Sequence, residues 1–160
     1  MKVLVCTDGS ELSAKAVEAA IGVAKPLNAE IVGMTAVRGE EPREGLVGED
    51  LAVQERLAQI YEAARTAGLK CRVMAVHGQA PWVCITKTAV DEDVDFVVMA
   101  SRGMGSLGSL FIGSETHCIS KIMHNKSWHN RIKINHNDRS LGQAVKQDVI
   151  CLGIVVGNAC

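Results

Sequence analysis

The sequence predicts an open α/β domain, with a mainly parallel, twisted sheet and helices on both faces. Apolar strand-like segments alternate with segments of helical periodicity in the order β-α-β-α-β-α-β, and helices that separate strands favour parallel pairing. The fourth strand is almost wholly apolar, which is typical of strands covered on both faces. The chain has 160 residues, 48% of them hydrophobic, which suits one domain with its own core.

The first strand and helix are bounded by clear local signals. The apolar residues 2–6 predict a strand that ends in the turn of residues 7–10. A helical period follows, for which Ser10 is an available N-cap. We expect Pro26 to end or kink this helix. Asn28 suits the left-handed exit position.

The middle of the chain continues the alternation. Residues 30–37 predict a second strand, and residues 38–48, rich in glycine and glutamate, predict a loop. Residues 49–69 form the clearest helical pattern, which has acids in its first turn and Gly68 at its end. Residues 70–77 predict the third strand.

The third helix and the fourth strand complete the pattern. We expect a helix over residues 82–90, with Pro81 tolerated in its first turn, and a strand over residues 95–100. Residues 149–156 are again apolar and could form a fifth strand.

The end of the chain differs in composition. Residues 1–113 hold 11 Lys/Arg and 15 Asp/Glu, a net charge of −4, whereas residues 114–160 hold 6 and 3, a net charge of +3. We predict a domain over residues 1–124 and an atypical tail over residues 125–160. We expect the tail to be foreign to the fold from about Lys126, as a shifted reading frame or an altered terminus would produce. The tail histidines and Cys118 match no tight pair of metal ligands, so we expect no metal site.

Composition excludes several classes of protein. The net charge is −1 and aromatic residues number five, which argues against nucleic acid as a partner. No apolar run nears the roughly 20 residues of a membrane span, and the apolar stretch after Met1 is too short for a signal peptide. The six cysteines form no Cys-x-x-Cys pair, so we expect reduced thiols and a cytoplasmic location.

A glycine-rich loop is the most informative segment. Residues 101–109 leave the fourth strand and lead to Gly113 and Ser114, which resemble a helix start. Glycines allow close approach to an anion, and a helix N-terminus offers free N–H groups. The segment suits a phosphate cradle or, equally, a flexible surface loop with a plain N-cap. Its Gly-x-Gly-x-x-Gly spacing follows the fourth strand rather than the first, so we do not interpret it as a dinucleotide fingerprint.

Asp8 follows the first strand at its carboxyl end. A carboxylate there could accept hydrogen bonds from a ligand's amine or hydroxyl. It could equally close an Asx turn that only shapes the bend, and Asp8 alone favours the turn.

Two segments taken together resemble the universal stress protein family. One is residues 7–17, Thr-Asp-Gly-Ser-Glu-Leu-Ser-x-x-Ala-Val. The other is residues 97–103, Val-Val-Met-Ala-Ser-Arg-Gly, followed by nine residues and then Gly113-Ser114. The resemblance covers about residues 1–124. It implies a Rossmann-like fold of the adenine nucleotide alpha hydrolase type, and it points to the nucleotide-binding branch of the family.

The resemblance implies a site for ATP or AMP, with no catalytic residue identified. Thr7 and Asp8 would flank the adenine and ribose, and Ala36 would line the adenine pocket. The residues implied beneath the ribose and around the phosphates are Met99, Ala100, Gly103, Gly113, Ser114 and Thr116. The family is often dimeric, so a homodimer is implied as well.

The sequence departs from the family pattern at two points. Ala100 stands where the nucleotide-binding motif has its first glycine, and no proline follows Pro81 to lead a last valine strand. Branches without the full glycine pattern tend not to hold ATP.

We expect a small cytosolic sensor or regulator of the stress response that binds ATP or AMP. The alternatives are a dimerisation module that binds no nucleotide and a slow ATPase. The ATPase would need a metal ion such as magnesium to join Ser114 and the phosphates.

Overall fold

The computed structural model describes residues 1–40 and 50–100 and the backbone of residues 149–153. The strands in this part of the chain are β1 (Lys2–Cys6), β2 (Glu30–Arg38), β3 (Cys71–Gly78), β4 (Phe96–Ala100) and β5 (Val149–Gly153). The helices are α1 (Glu11–Leu27), α2 (Leu51–Thr66) and α3 (Pro81–Asp91). The predicted alternation is confirmed, and β5 lies within the predicted range 149–156.

The five strands form one sheet in the order β3-β2-β1-β4-β5. The first four strands are parallel, and β5 pairs antiparallel with β4. Lys2–Cys6 pairs in register with Glu30–Met34 on one side, and Val5 pairs with Val98 on the other. The predicted mainly parallel sheet is therefore confirmed.

Helix α1 begins and ends where its capping residues predict. The Ser10 side chain accepts a hydrogen bond from Ser13 N, and Asn28 adopts the left-handed conformation with φ 47°. Pro26 lies in the last turn, and the helix ends one residue later, at Leu27.

Helix α2 is shorter than the predicted 49–69. It begins at Leu51, and Asp50 precedes it as the N-cap, with its side chain accepting from Ala52 N. The acid therefore caps the helix instead of lying in its first turn. Gly68, with φ +73°, follows the last turn, as predicted.

The helices cover both faces of the sheet, as predicted. We call the apolar layer under α1 and α2 the α1–α2 core and the layer under α3 the α3 core. Members of the α1–α2 core are Val3, Val5, Ile31 and Val98 of the sheet with Val17, Ala20, Ile60 and Ala64 of the helices. Members of the α3 core are Leu4, Val32, Met34 and Val97 of the sheet with Cys84, Ile85 and Ala89 of α3.

Gly33 allows α2 to pack closely on the sheet. A Cβ on Gly33 would lie 2.7 Å from Ile60 Cγ2 and 3.0 Å from Val73 Cγ1. Ile60 is fully buried at this contact. A side chain at this position would therefore push α2 away from the sheet.

Candidate functional site

The strand order creates a topological switch point between β1 and β4. The chain moves outward from β1 to β2 and β3, and then returns to place β4 on the other side of β1. Since right-handed crossovers change face when the direction along the sheet reverses, α3 lies opposite α1 and α2. Ligands of open α/β sheets bind in the crevice that such a reversal leaves at the carboxyl ends of the strands.

Four of the predicted site residues lie at this crevice. Thr7 and Asp8 follow β1, and Met99 and Ala100 end β4. The β1–β4 register pairs Val5 with Val98, and its continuation by two residues brings Thr7 level with Ala100. The topology thus brings together two segments separated by about 90 residues of sequence.

Asp8 closes the turn that leaves β1. Its Oδ1 accepts a hydrogen bond from Ser10 N at 3.0 Å, which is the Asx turn that the sequence allowed. Gly9 has φ +84°, a conformation that glycine adopts without steric cost. The half-buried Asp8 carboxylate is thereby held at the carboxyl end of the sheet. A carboxylate can accept several hydrogen bonds, so shaping the turn and contacting a ligand are compatible roles.

A chain of hydroxyl groups fixes this turn to helix α1. Ser13 Oγ donates to Ser10 O at 2.8 Å, and Thr7 Oγ1 lies 2.9 Å from Ser13 Oγ. Because the Ser13 proton points at Ser10 O, Thr7 is the donor in the second bond. Thr7 Oγ1 also accepts from Gly9 N at 3.1 Å.

This hydroxyl chain gives Thr7 a clear structural role. Its side chain is 5% exposed, and its hydroxyl is turned toward α1. Ser13, 2% exposed, was not among the predicted site residues. The signal for it was its spacing from Ser10, since the third helical position faces the N-cap.

Arg56 of α2 lies across the same turn. A Cβ on Gly9 would lie 3.1 Å from Arg56 Nε and 3.2 Å from Arg56 Cγ. Arg56 is half-buried and brings a positive charge beside the Asp8–Ser10 turn. Sequence reasoning did not predict this contact, because it joins residues far apart in the chain.

The other side of the crevice is apolar. Ala36 is half-buried and packs on the α3 core, in which Met99 is 7% exposed. Val76, which pairs with Ala36 across β2 and β3, packs on the same core, as does Trp82. Ala36 and Met99 therefore belong to one continuous apolar wall.

The remaining predicted residues lie outside the described part of the chain. These are Gly103, Gly113, Ser114 and Thr116, together with Cys118 and the tail histidines. The phosphate cradle therefore stays a prediction. Among residues 1–40 and 50–100, no group of three or more His, Cys, Asp or Glu side chains is arranged to hold a metal ion.

The cysteines of this region are free thiols. Burial raises the pKa of Cys6, at the end of β1, from an ordinary value of 9.0 to about 12. Partial burial, with a smaller contribution from Glu30, raises the pKa of Cys71 to about 11. Both are therefore neutral at physiological pH, and a neutral thiol is a poor nucleophile.

Comparison with known sequences places the chain in a family. The family model described as the universal stress protein family matches residues 1–122. The chain is similar to universal stress protein YxiE of Bacillus subtilis, at 30% identity, over 76% of this chain and 92% of the relative. It is also similar to universal stress protein MJ0531 of Methanocaldococcus jannaschii, at 30% identity, over 77% of each.

Solved structures show the same fold. A universal stress protein in complex with cAMP superposes with a TM-score of 0.62 and 24% identity, over 76% of this chain and 90% of that one. A universal stress protein from Archaeoglobus fulgidus gives a TM-score of 0.62 and 18% identity, over 76% of this chain and 91% of that one.

Proposed function

Because the chain belongs to the universal stress protein family, we propose that its switch point binds an adenine nucleotide, ATP or AMP. We further propose that the protein acts as a sensor or regulator of the stress response. The observation that carries the proposal is the meeting of the Asp8 turn and the Met99–Ala100 strand end at one crevice. A protein of this fold binds cAMP, which makes adenine nucleotides the ligand class to test first.

The described residues suit the base and ribose half of a nucleotide. The Asp8 carboxylate would accept hydrogen bonds from the ribose hydroxyls or the adenine amine. Ala36 and Met99 would offer the apolar wall on which the base lies. Thr7 would act through the turn that its hydroxyl fixes, and Ala100 would lie under the ribose.

The phosphate half depends on the predicted loop. Gly103 and Gly113 would let the main chain approach the phosphates, and Ser114 and Thr116 would add hydroxyl donors at the helix start. If hydrolysis occurs, magnesium would be the ion that joins Ser114 to the phosphates.

The proposal extends to assembly and location. We propose a cytoplasmic homodimer, on the strength of the family and of the thiol content. In the part of the chain that the structure describes, no helix is both long enough and apolar enough to cross a membrane.

The first experiment asks whether the purified protein carries a nucleotide. Denaturation would release it, and absorbance near 260 nm and mass would identify it. Calorimetric titration of the emptied protein with ATP and AMP should then show one saturable site. Absence of saturable binding by protein with an intact far-UV spectrum would overturn the proposal and favour a dimerisation module.

The variant Asp8→Asn tests the site itself. The amide oxygen can still accept from Ser10 N, so the turn is kept while the charge is lost. We expect a loss of about tenfold in ATP affinity, since a charge-assisted hydrogen bond is replaced by a neutral one. Asp91→Asn, at the exposed end of α3, is the matched control and should bind as the wild type does. Phosphate release from the same samples would show whether any binding is coupled to hydrolysis.

A further inference from the structure

Trp82 is an aromatic residue near the crevice to which the proposed function gives no role. It is the second residue of α3, directly after Pro81. Because α3 follows β3 after two residues, its first turn lies at the carboxyl end of the sheet. The indole is half-buried and packs against the α3 core.

The start of α3 is held firmly against the end of β3. A Cβ on Gly78 would lie 2.6 Å from Cys84 Sγ, so only a glycine at this strand end lets the helix approach so closely. Cys84 is 4% exposed in this contact. Trp82 lies two residues before Cys84, in the same turn of α3.

Trp82 shares the α3 core with residues proposed to hold the base. Met99 is a member of this core, and Ala36 and Trp82 both pack against it. Val76 pairs with Ala36 and completes the wall at β3. The half-buried state of Ala36 and Val76 leaves part of this wall accessible at the carboxyl end.

We propose that Trp82 borders the base of the bound nucleotide and determines a preference for purines. This inference rests on the proposed function. Adjacent strands lie about 4.8 Å apart, so β3 is about 14 Å from β4. With its phosphates at the predicted loop after β4, a nucleotide would direct its base across β1 toward β2 and β3, and the start of α3 that carries Trp82 follows β3.

The chemistry of indole favours this role over simple core packing. Its π face stacks on nucleobases, and such stacking is worth about 1–3 kcal/mol per base. A purine presents a larger face than a pyrimidine, so it gains more from this neighbour. A core side chain without such a role would respond to folding alone and not to the base of the ligand.

Fluorescence tests the proposal directly. The chain has two tryptophans, Trp82 and Trp128, so Trp128→Phe leaves Trp82 as the only indole emitter. Titration with ATP or adenosine should change its emission with saturation, whereas inorganic triphosphate, which has no base, should not. If calorimetry shows that ATP binds but the Trp82 emission does not change, the inference about Trp82 is overturned. The proposed function would still stand in that case.

Affinity measurements provide the second test. Trp82→Leu keeps an apolar side chain without an aromatic face. It should bind ATP about tenfold more weakly and reduce the ATP-to-CTP affinity ratio, while its affinity for inorganic triphosphate stays unchanged. Trp82→Phe should recover most of the loss, and Tyr61→Leu, on the exposed side of α2, is the aromatic control.

The outcomes separate the two proposals. Equal ATP affinity and equal base preference in wild type, Trp82→Leu and Trp82→Phe would overturn the role of Trp82 alone. A wild-type protein that binds no nucleotide would overturn both. If Trp82→Leu fails to fold, the fluorescence titration, which uses the native Trp82, decides the matter.

Discussion

The two ends of the sheet are held together in different ways. At the amino end, charged side chains join segments far apart in sequence. Arg72 of β3 bonds Glu30 of β2 through Nε at 3.0 Å and Glu92 after α3 through Nη1 at 2.8 Å, with a second contact from Nη2 to Glu92. Lys2 Nζ donates to Glu92 O at 2.7 Å, and Lys2 N donates to Asp95 Oδ2 at 2.7 Å.

At the carboxyl end, a network of local side-chain bonds shapes the turn after β1. The bonds that link Thr7, Asp8, Ser10 and Ser13 with one another and with the Gly9 amide each span six residues or fewer. These bonds fix the shape of the turn and join it to the start of α1.

The difference between the two ends suggests that the amino end of the sheet contributes mainly to stability and the carboxyl end to ligand binding. Long-range contacts at the amino end oppose the separation of β1, β2, β3 and the α3–β4 corner. The local bonds at the carboxyl end hold the turn beside the proposed site. Changes at the amino end should therefore lower stability without affecting the proposed site, and changes in the turn after β1 should affect both.

The largest expected effect follows from removing Arg72. Arg72→Met leaves the carboxylates of Glu30 and Glu92, 32% and 19% exposed, without this partner. We expect a loss of about 2 kcal/mol in the free energy of unfolding, measured by urea titration. The guanidinium is 41% exposed, and solvent screening keeps the loss from being larger.

Arg65→Met is the matched control for this change. Arg65 pairs with Glu62 on α2, at 67% and 57% exposure, and its substitution should change the free energy of unfolding much less than Arg72→Met does, because exposed ion pairs contribute little to stability. Nucleotide affinity should be the same in both variants. A weaker affinity in Arg72→Met would contradict the separation of the two ends.

The second largest effect on stability is expected at the carboxyl end of the sheet. Thr7→Val keeps the shape of the side chain but leaves Gly9 N without its acceptor and Ser13 Oγ without its donor. We expect a loss of about 1.5 kcal/mol in unfolding free energy and a weaker affinity for ATP. Thr7→Ser keeps the hydroxyl and is the control.

Hydrogen exchange at the Gly9 amide gives the local readout for this variant. Exchange should be faster in Thr7→Val than in Thr7→Ser. If the two variants exchanged and bound alike, the hydroxyl chain would have no part in holding the turn.

The free energy of unfolding should fall at alkaline pH because the Cys6 thiol beneath this turn is buried. Burial raises the pKa of Cys6 to about 12, against 9.0 ordinarily. Above pH 9 the unfolded chain loses this proton while the folded chain keeps it, so unfolding free energy falls as pH rises toward 12. The loss from this thiol should reach about 1.4 kcal/mol by pH 10.

Cys6→Ala identifies the source of this pH dependence. Its unfolding free energy, measured from pH 8 to 10, should fall less steeply than that of the wild type, and the difference in slope should grow to about one proton at pH 10. Cys71, whose pKa is also raised, remains in both proteins, so the difference reports Cys6. Parallel slopes would show that Cys6 is not protected from ionisation.

Local features were predictable from sequence, and long-range ones were not. Ser10 as N-cap, the left-handed Asn28 and the Asp8 turn each depend on residues a few positions apart, so spacing and residue type were sufficient. The Arg72 network and the contact of Arg56 with Gly9 depend on which strands and helices become neighbours. Charge spacing along a single chain carries no signal for such pairs.

The candidate site was predictable in part for the same reason. Turns at the carboxyl ends of parallel strands meet at one edge, so the sequence indicated that residues 7–10 and the end of β4 converge. Trp82 was missed, because its place on the α3 core depends on the packing of α3 against the sheet.

The smallest expected effect is a gain in stability, from the same substitution one strand away. Thr35 lies level with Thr7, since Cys6 pairs with Met34. It is 1% exposed, and among the described residues its Oγ1 has no hydrogen-bond partner. Valine fills the same volume without a buried hydroxyl, so Thr35→Val should raise the unfolding free energy by up to about 1 kcal/mol.

The same substitution is therefore expected to change the free energy of unfolding in opposite directions at two adjacent positions: Thr7→Val should lower it and Thr35→Val should raise it. Urea titrations of the two variants and the double mutant should show a loss, a gain and their approximate sum. A loss at Thr35 would mean that its hydroxyl has a bonded partner such as a buried water, so the layer beneath the turn would be wetter than the packing around Cys6 indicates. A gain there, with unchanged ATP affinity, would show that hydroxyl groups hold this end of the sheet only where they form the turn.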